Sequence, residues 1–333
     1  MQIQKKILLA SYTTFKIGGE AKYFGVVKNI EDLKEGVNFA KENLLPIFIL
    51  GGGSNLLISD EGFDGLVLKM ENKDLVIGLS YDGFMKVGVG AGMLLDDLIY
   101  KMAKRNLWGL ENLSWIPGTV GAGVVQNCGA FGVELCNIVD WVEVFDTETG
   151  ETKKLMNEEC GFGYRNSIFK KKSNWVIIQI GLKLNEKESS NFSYNGLEDF
   201  ENNENLTVKN VRKKIIELRE KNTPWVDRLG SAGCFFKNPI ITKDELEKLK
   251  EKFPEIPVFE EVGKNKISAG WLLDELGWKG VFEGEVGVYD KHALILVNKG
   301  KGTCEEIKNL AQKIEDDVFE KTSLRLEKEV VFV

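Results

Sequence analysis

A reactive thiol lies in the most informative segment of the chain, residues 231–239 (SAGCFFKNP). Gly233 gives the backbone before Cys234 unusual freedom, and Lys237 and Asn238 follow close behind. A thiol can donate a proton or act as a nucleophile. The only histidine in the sequence is His292, so a cysteine-nucleophile hydrolase would have to use it as the base.

A glycine run follows the apolar residues 46–50 and consists of Gly51, Gly52, Gly53, Ser54 and Asn55. Glycines let backbone N–H groups approach an anion closely, and the two polar side chains add contacts. The run fits a pyrophosphate cradle, although it matches neither a P-loop nor the GxGxxG fingerprint. A tight turn between two strands is the alternative interpretation.

A second run of small residues extends over 116–132 (IPGTVGAGVVQNCGAFG). So little side-chain volume in one stretch suits a backbone that packs against a flat, extended ligand. Irregular close-packed structure explains the composition equally well. The residues of this run that we expect to contact a ligand are Pro117, Gly118, Gly121 and Gly123.

Alternating strands and helices must position these residues. Patterns rich in β-branched and aromatic residues predict strands, and apolar residues at helical spacing predict helices. The predicted strands are residues 23–27, 46–50, 65–70, 85–90, 141–145, 175–184 and 324–333. The predicted helices are residues 30–43, 94–105, 207–221, 243–253, 267–276 and 305–322. Residues 185–205 are polar and turn-prone, which indicates a domain boundary.

The bulk composition excludes several classes of function. A net charge of -7 argues against bulk nucleic-acid binding, but local cations could still bind a small anion. Five scattered cysteines without a CxxC pair predict a reduced, cytoplasmic protein, and with one histidine they make a metal site improbable. Neither a secretory signal nor an apolar run of membrane length is present, so we expect no membrane insertion.

Six motifs follow one another along the chain: TTFKIGG at 13–19, GGGSN at 51–55, the 116–132 run, CGFGYRNSIFK at 160–170, AGCFFKNP at 232–239 and LEKEV at 326–330. They occur in the order seen in the UDP-N-acetylenolpyruvoylglucosamine reductase family, and the chain resembles that family over essentially its whole length. Residues 192–194 (FSY), with a polar linker and KNTPW behind them, resemble the longer family type that carries a substrate-binding tyrosine loop.

The resemblance implies an α+β fold. An FAD-binding domain of the vanillyl-alcohol-oxidase type would occupy residues 1–190, with subdomains at about 1–70 and 71–190. A smaller α+β substrate-binding domain would occupy residues 206–333, and its last strand would contribute to the active site. The two glycine runs would hold the pyrophosphate and the isoalloxazine of FAD. We expect a monomer.

The implied reaction is the NADPH-dependent reduction of UDP-N-acetylenolpyruvoylglucosamine to UDP-N-acetylmuramate through FAD, a step of peptidoglycan precursor synthesis. Arg165 would hold the substrate carboxylate and the enolate, because a guanidinium fork suits a planar carboxylate. Glu329 would polarise that carboxylate, with Glu327 as the fallback, and Cys234 would protonate the adjacent carbon. A structural salt bridge for Arg165 and a solvated surface position for Glu329 are the plainer interpretations.

The resemblance also implies a set of substrate-binding residues. The sequence departs from the family pattern at two points. The family usually has serine where this chain has Cys234. Asn222-Thr223-Pro224 replaces the usual Lys-Leu-Pro, so Lys221 would have to supply the substrate-binding lysine. An oxidase of the same flavin fold and a non-catalytic nucleotide-sugar binder remain as alternatives. The implied substrate-binding residues are Tyr164, Tyr194, Lys221, Asn238 and His292.

Overall fold

Helices and strands alternate through the chain, which has the predicted α+β character. The structure is a computed structural model that describes residues 1–192, 196–200, 206–224, 228–261 and 264–333. The helices are α1 (Ile30–Glu42), α2 (Leu95–Ala103), α3 (Val120–Gln126), α4 (Val208–Asn222), α5 (Lys243–Lys252), α6 (Ala269–Glu275) and α7 (Cys304–Thr322). The strands are β1 (Ile3–Leu8), β2 (Glu20–Val27), β3 (Ile47–Leu50), β4 (Leu56–Leu57), β5 (Phe63–Met70), β6 (Leu75–Tyr81), β7 (Phe84–Gly90), β8 (Gly129–Ala130), β9 (Val133–Glu134), β10 (Val139–Asp146), β11 (Thr152–Met156), β12 (Trp175–Asn185), β13 (Gly230–Cys234), β14 (Ile240–Ile241), β15 (Val258–Glu261), β16 (Lys264–Ile267), β17 (Phe282–Glu283), β18 (Val286–Val288), β19 (Ile295–Asn298) and β20 (Val331–Phe332).

The first of two compact units comprises Met1–Ile7, Ala21–Gly52 and Asp64–Arg219. One of its sheets has the order β1-β2-β5-β3, with β3 and β5 parallel. Helix α1 covers one face of this sheet, because its apolar stripe packs against β5 in a single core cluster. Asn29 caps the helix by accepting the Asp32 N–H at 2.9 Å.

The other large sheet of this unit has the order β11-β10-β12-β7-β6, and each strand pairs antiparallel with its neighbours. Helices α2 and α3 bury their apolar side chains in the same cluster as the strands β7, β10 and β12. Leu98 of α2, Val124 of α3 and Ile180 of β12 are all inaccessible to solvent. The glycine-rich residues at the start of α3 are therefore fixed on a packed sheet.

The second unit comprises Leu8–Glu20, Gly53–Phe63 and Glu220–Val333. It contains the sheets β13-β19-β18-β17, β14-β16-β15 and β20-β4. Helix α7 supplies much of its core and begins at a capping box formed by Thr303 and Glu306. The Asp60 carboxylate also accepts the Cys304 N–H, which satisfies a further backbone donor at that helix end.

Most predicted elements are confirmed within a few residues, but one predicted strand was wrong and one helix was missed. Residues 324–333 do not form one strand: pairing is confined to an isolated bridge between Phe236 and Lys328 and to β20. Leu324, Leu326 and Val330 of this segment are nevertheless buried. The run at 116–132 contains α3, which its glycine content concealed. The functional domain boundaries, 1–190 and 206–333, remain predictions.

Candidate functional site

The two glycine runs meet in the first unit. A Cβ atom built on Gly52 would lie 2.5 Å from the Gly118 Cα, and one built on Gly51 would lie 2.7 Å from the Thr119 Oγ1 and 2.9 Å from the Ala122 Cβ. The backbones can approach so closely only because these positions lack side chains. The loop after β3 and the loop before α3 thus form one surface of backbone and small side chains.

The remainder of the GGGSN run belongs to the second unit. Gly53 has a φ of +65°, and a Cβ atom there would lie 2.0 Å from the Tyr12 carbonyl oxygen, so only glycine fits. Asn55 donates from Nδ2 to the Glu329 carbonyl oxygen at 3.1 Å. Ser54, which lies between Gly53 and Asn55 in the sequence, is half-buried. The structure therefore brings Asn55 to the segment that carries the predicted catalytic carboxylate.

Gly121 and Gly123 have a structural reason to be glycine. A Cβ atom on Gly121 would lie 2.7 Å from the Ala91 Cβ, and one on Gly123 would lie 2.8 Å from the Leu135 Cδ1. Both residues are buried, whereas Pro117 at the start of the run is exposed. These two glycines allow α3 to pack closely, and a role for them in cofactor binding stays a prediction.

Arg165 lies in a tight turn that aims its side chain at the second glycine run. Gly163 and Asn166 exchange two backbone hydrogen bonds of 3.0 Å across the turn. Arg165 has a φ of +49°, a strained value for a residue with a side chain, and such strain occurs often at functional sites. Its Nη2 donates to the Gly129 carbonyl oxygen at 3.0 Å, and Nη1 lies 3.7 Å from the Glu134 carboxylate.

Asn127 holds this turn in place, and the sequence interpretation missed it. The residue is fully buried, and its Nδ2 donates to the Glu134 carboxylate at 2.8 Å and to the Gly163 carbonyl oxygen at 3.0 Å. Its Oδ1 accepts the Cys136 N–H at 3.0 Å. Its φ of +47° at the end of α3 is a value that asparagine tolerates better than most residues, which could have identified it.

Cys234 ends β13 at a local irregularity in the pairing with β19. Gly233 before it has a φ of +75° with open space around the position of a Cβ atom, so the backbone conformation requires glycine there. The Phe235 N–H then donates to the Leu294 carbonyl oxygen at 2.7 Å and fixes the chain beyond the thiol. Cys234 is half-buried, and its side chain is reduced.

Three other cysteines have thiols that are hard to ionise. Burial raises the pKa of the Cys160 thiol to about 12, and burial is also the main cause that raises the pKa of Cys136 and of Cys304. A thiol of this kind stays protonated at neutral pH and reacts slowly. Cys160 and Cys304 are buried in the hydrophobic cores, which suits a packing role.

Glu329 lies beside the segment of Cys234. Its N–H donates to the Phe235 carbonyl oxygen at 2.8 Å, and its side chain is half-buried. Glu327, the predicted fallback, is largely exposed and forms an ion pair with Lys237. The catalytic roles of Glu329 and of its fallback Glu327 stay predictions.

Asn238 and His292 both contact the first turn of α6. The Asn238 Oδ1 accepts the Ala269 N–H at 3.0 Å. The His292 Nδ1 accepts the Leu294 N–H at 3.3 Å, and a Cβ atom on Gly270 would lie 3.4 Å from the His292 Cε1. The structure therefore groups these two predicted substrate-binding residues, although the contacts of both also serve the local fold.

The remaining predicted substrate-binding residues are spread over several segments. The ring of Tyr164 lies 5.2 Å from the Arg165 guanidinium carbon, close enough for a cation–π contact. Lys221 is exposed near the end of α4, and Tyr194 lies outside the described residues. Asn191, three positions before Tyr194, accepts a hydrogen bond at its carbonyl oxygen from the Asn112 Nδ2 at 2.9 Å.

Metal ligands and membrane spans were searched for in the described part of the chain. No group of three or more histidine, cysteine, aspartate or glutamate residues there is placed to hold a metal ion. None of the helices in those residues combines the length and the apolar character that crossing a membrane requires.

Comparison with known proteins relates both parts of the chain to one family. The C-terminal domain model of UDP-N-acetylenolpyruvoylglucosamine reductase matches residues 224–333, and an FAD-binding domain model matches residues 21–156. The reductase of Pseudomonas aeruginosa is 35% identical over 99% of this chain and 98% of its own length. The reductase of Flavobacterium johnsoniae is 39% identical over 99% of both chains.

A solved structure shows the same relation at the level of the fold. The crystal structure of UDP-N-acetylenolpyruvylglucosamine reductase from Thermus caldophilus superposes with a TM-score of 0.71 at 28% identity. The match covers 100% of this chain and 99% of that one.

Proposed function

The chain belongs to the UDP-N-acetylenolpyruvoylglucosamine reductase family, and we therefore propose that it reduces UDP-N-acetylenolpyruvoylglucosamine to UDP-N-acetylmuramate, with NADPH as the reductant. The observation that carries this conclusion is the full-length match at 35–39% identity to reductases of that name. The chain is thus an FAD-dependent oxidoreductase of peptidoglycan precursor synthesis. FAD, when bound, supplies the redox chemistry by passing two electrons from NADPH to the enolpyruvyl group.

The glycine runs fit the diphosphate of FAD. Gly52 and Gly118 have no side chains and pack backbone to backbone, and a glycine backbone lets amide groups approach an anion closely. Residues 51–55 are assigned to the diphosphate, and residues 117–123 to the diphosphate and the isoalloxazine. The alternative of an oxidase of the same flavin fold is disfavoured by the second domain, which matches the reductase family over residues 224–333.

Arg165 and Glu329 are assigned to the substrate carboxylate. The guanidinium of Arg165 is already oriented by the Gly129 carbonyl oxygen, so little rearrangement is needed to bind a planar anion. Negative charge grows on the carboxylate side of the substrate when the double bond is reduced, and a fixed cation stabilises that charge. Glu329 would polarise the carboxyl group in its bound form.

Cys234 is assigned as the proton donor to the carbon beside the carboxylate. Its partly accessible thiol sits at a break in the sheet, unlike the buried thiols of Cys160 and Cys304. Asn238, His292, Lys221, Tyr164 and Tyr194 are assigned to the nucleotide-sugar and its diphosphate. A location in the cytoplasm is part of the same proposal, because the precursor substrate is a water-soluble nucleotide. We also propose that the protein is a monomer.

Two rapid-kinetic measurements test the reaction. Anaerobic mixing of the flavin enzyme with NADPH should bleach the flavin, and mixing the reduced enzyme with the enolpyruvyl substrate should restore its colour. An oxidase would be reoxidised by oxygen but not by this substrate. A non-catalytic binder would stay colourless after FAD is added.

A matched pair of variants tests the cofactor loop. Ala122 is exposed in the first turn of α3 and lies beside Gly51, so Ala122→Asp places a carboxylate at the assigned diphosphate position. Ala122→Asn has the same shape without the charge. We expect purified Ala122→Asp to lose most of its flavin, while Ala122→Asn keeps it. Equal flavin content in the two variants would overturn the assignment of this loop.

A further inference from the structure

The residues assigned to the cofactor include no charged side chain. Residues 51–55 and 117–123 carry only glycines and uncharged side chains, whereas the diphosphate of a flavin nucleotide is an anion. Backbone N–H groups can hold an anion, but a hydrogen bond from an ionised donor is about twice as strong as a neutral one. A cation placed against the Gly51–Gly52 backbone would therefore add substantially to cofactor affinity.

Lys69 places such a cation at this backbone. It lies on β5 directly opposite Leu50 of β3, in the parallel pairing that leads into the glycine run. Side chains alternate along a strand, and Leu68 and Met70 pack in the cluster with α1, so Lys69 lies on the opposite face of the sheet. Its Nζ donates to the Gly51 carbonyl oxygen at 2.9 Å.

The surroundings of Lys69 compensate its charge only partly. Burial lowers the pKa of Lys69, and Lys73 lowers it further, while Glu71 acts in the opposite direction. In the described part of the chain, no carboxylate forms an ion pair with its ammonium group. The Gly51 carbonyl oxygen occupies one of three N–H donors, so the group can still donate to an anion.

We propose that Lys69 is a binding residue for the diphosphate of the flavin nucleotide, with one N–H on the Gly51 carbonyl oxygen and another on a diphosphate oxygen. The inference rests on the proposed function, because it takes residues 51–55 as the diphosphate loop. It adds a charge contact to a site that otherwise consists of backbone and small neutral side chains.

The rate of FAD release from the purified holoenzyme tests the proposal, measured as the rise of flavin fluorescence after dilution. We expect Lys69→Met and Lys69→Gln to release FAD about 10- to 100-fold faster than the parent, in line with the loss of one hydrogen bond to a charged group. Lys69→Arg should stay near the parental rate. Lys22→Met is the control, because it removes a lysine of the same sheet that pairs with Asp64 instead.

Comparison of the FAD release rates of these variants distinguishes a charge contact with the diphosphate from a purely structural role of Lys69. Glutamine can still donate to the Gly51 carbonyl oxygen but has no charge, so parental release from Lys69→Gln would overturn the proposal even if Lys69→Met were fast. Raising the salt concentration should accelerate release from the parent more than from Lys69→Gln, because salt screens the ion pair. The Ala122→Asp and Ala122→Asn pair reports on the loop itself: if they differ while both Lys69 variants behave like the parent, only the role of Lys69 fails.

Discussion

At the scale of single residues, the contacts of the predicted catalytic side chains differ in kind. The backbone of Arg165 is strained and its guanidinium is oriented. This strain costs free energy, and a surface arginine with a purely structural role would not need such a backbone conformation. Glu327 is occupied by Lys237, whereas Glu329 is half-buried beside the segment of Cys234. These differences make the proposed roles testable by separate half-reactions.

Replacing Arg165 by alanine should slow the reoxidation of the flavin by the enolpyruvyl substrate by roughly 10²–10³-fold, the effect of losing one donor to the transition state. Glu329→Gln should act on the same step. Stopped-flow absorbance of each half-reaction gives both rates, and the reduction of the flavin by NADPH should change far less. Arg105→Ala removes an exposed arginine that donates only to the Lys101 carbonyl oxygen and should be neutral. Equal damage to both half-reactions would instead indicate a folding or flavin defect.

Cys234→Ala should still be reduced by NADPH but should be reoxidised very slowly by the substrate, because the proton donor is missing. Cys234→Ser should remain active, since serine can donate a proton in the same position. An unperturbed thiol titrates near ~8.5, whereas a serine hydroxyl does not ionise in that range. Activity of the parent should therefore fall at alkaline pH, where a thiolate cannot donate, and the serine variant should lack that decline. Turnover of Cys234→Ala at the parental rate would refute the role.

At the scale of elements, short polar networks fix the loops that carry the predicted residues. Asn127 joins the end of α3 to the turn at Gly163–Asn166, and Asp96 joins α2 to α4 and to the Trp115 N–H. In each network one side chain forms hydrogen bonds with several groups. Changing a single atom of that side chain should therefore measurably lower the free energy of unfolding.

Asn127→Asp replaces an amide donor by an acceptor that faces the Glu134 carboxylate and the Gly163 carbonyl oxygen. We expect a loss of about 1–3 kcal/mol in the free energy of unfolding, the cost of unsatisfied buried polar groups. Because the turn carries Arg165, reoxidation by the substrate should also slow. Asn137→Asp is a contrasting change at an exposed residue of the same region. Unchanged denaturant midpoints for Asn127→Asp would contradict the role of this residue.

Asp96 gives a prediction with a defined pH dependence. Burial alone would raise the pKa of Asp96, but hydrogen bonds from Arg212 and from the Trp115 N–H outweigh it and hold the pKa below its ordinary value. A depressed carboxyl pKa stabilises the fold at pH values above the unfolded pKa of about 3.9, and this stability is lost as the pH falls through the folded pKa. Asp96→Asn should therefore lose about 1.5–3 kcal/mol at neutral pH.

The difference between Asp96→Asn and the parent should narrow as the pH is lowered below about 4, because the parent carboxyl then also becomes neutral. Urea unfolding at several pH values measures this difference. Asp97→Asn is the matched control, since it removes an exposed carboxylate from the adjacent position of α2. A stability difference that stays constant from neutral to acid pH would show that the ion pair is not its source.

At the scale of the whole molecule, each compact unit has its own hydrophobic core. The cluster around α7 belongs to the second unit, and the clusters around α1 and around α2 and α3 belong to the first. A ligand that binds only the folded state stabilises the protein by mass action. Free FAD at 100 times its dissociation constant should thus raise the free energy of unfolding by about 2.7 kcal/mol.

Chemical unfolding of the flavin-free protein with and without FAD measures this stabilisation. Ala122→Asn should show the full increase, whereas Ala122→Asp should show little at the same FAD concentration. A similar increase in both variants would mean that FAD binds away from the Gly51–Gly52 backbone. The comparison tests the cofactor assignment without relying on turnover.

The sequence by itself determined the family, the cofactor class and most of the helices and strands. Local patterns carry this information. Helix α1 and strand β12 could be predicted because periodicity and composition are properties of a few neighbouring residues. Motif order determined the candidate residues, among them Arg165, Cys234 and Glu329. Helix α3 was not predicted, because its glycines lower helix propensity. Its packing against the sheet compensates for that low propensity.

Only the tertiary structure decided which residues meet. Gly52 and Gly118 are 66 positions apart in sequence, and nothing local predicts that their backbones touch. The contact of Lys69 with Gly51, the hydrogen bond of Asn127 to Gly163 and the ion pair of Glu327 with Lys237 likewise join residues that are distant in sequence. Such pairings arise from the register of strands and the packing of helices, and these are set by the free energy of the whole core rather than by any one segment.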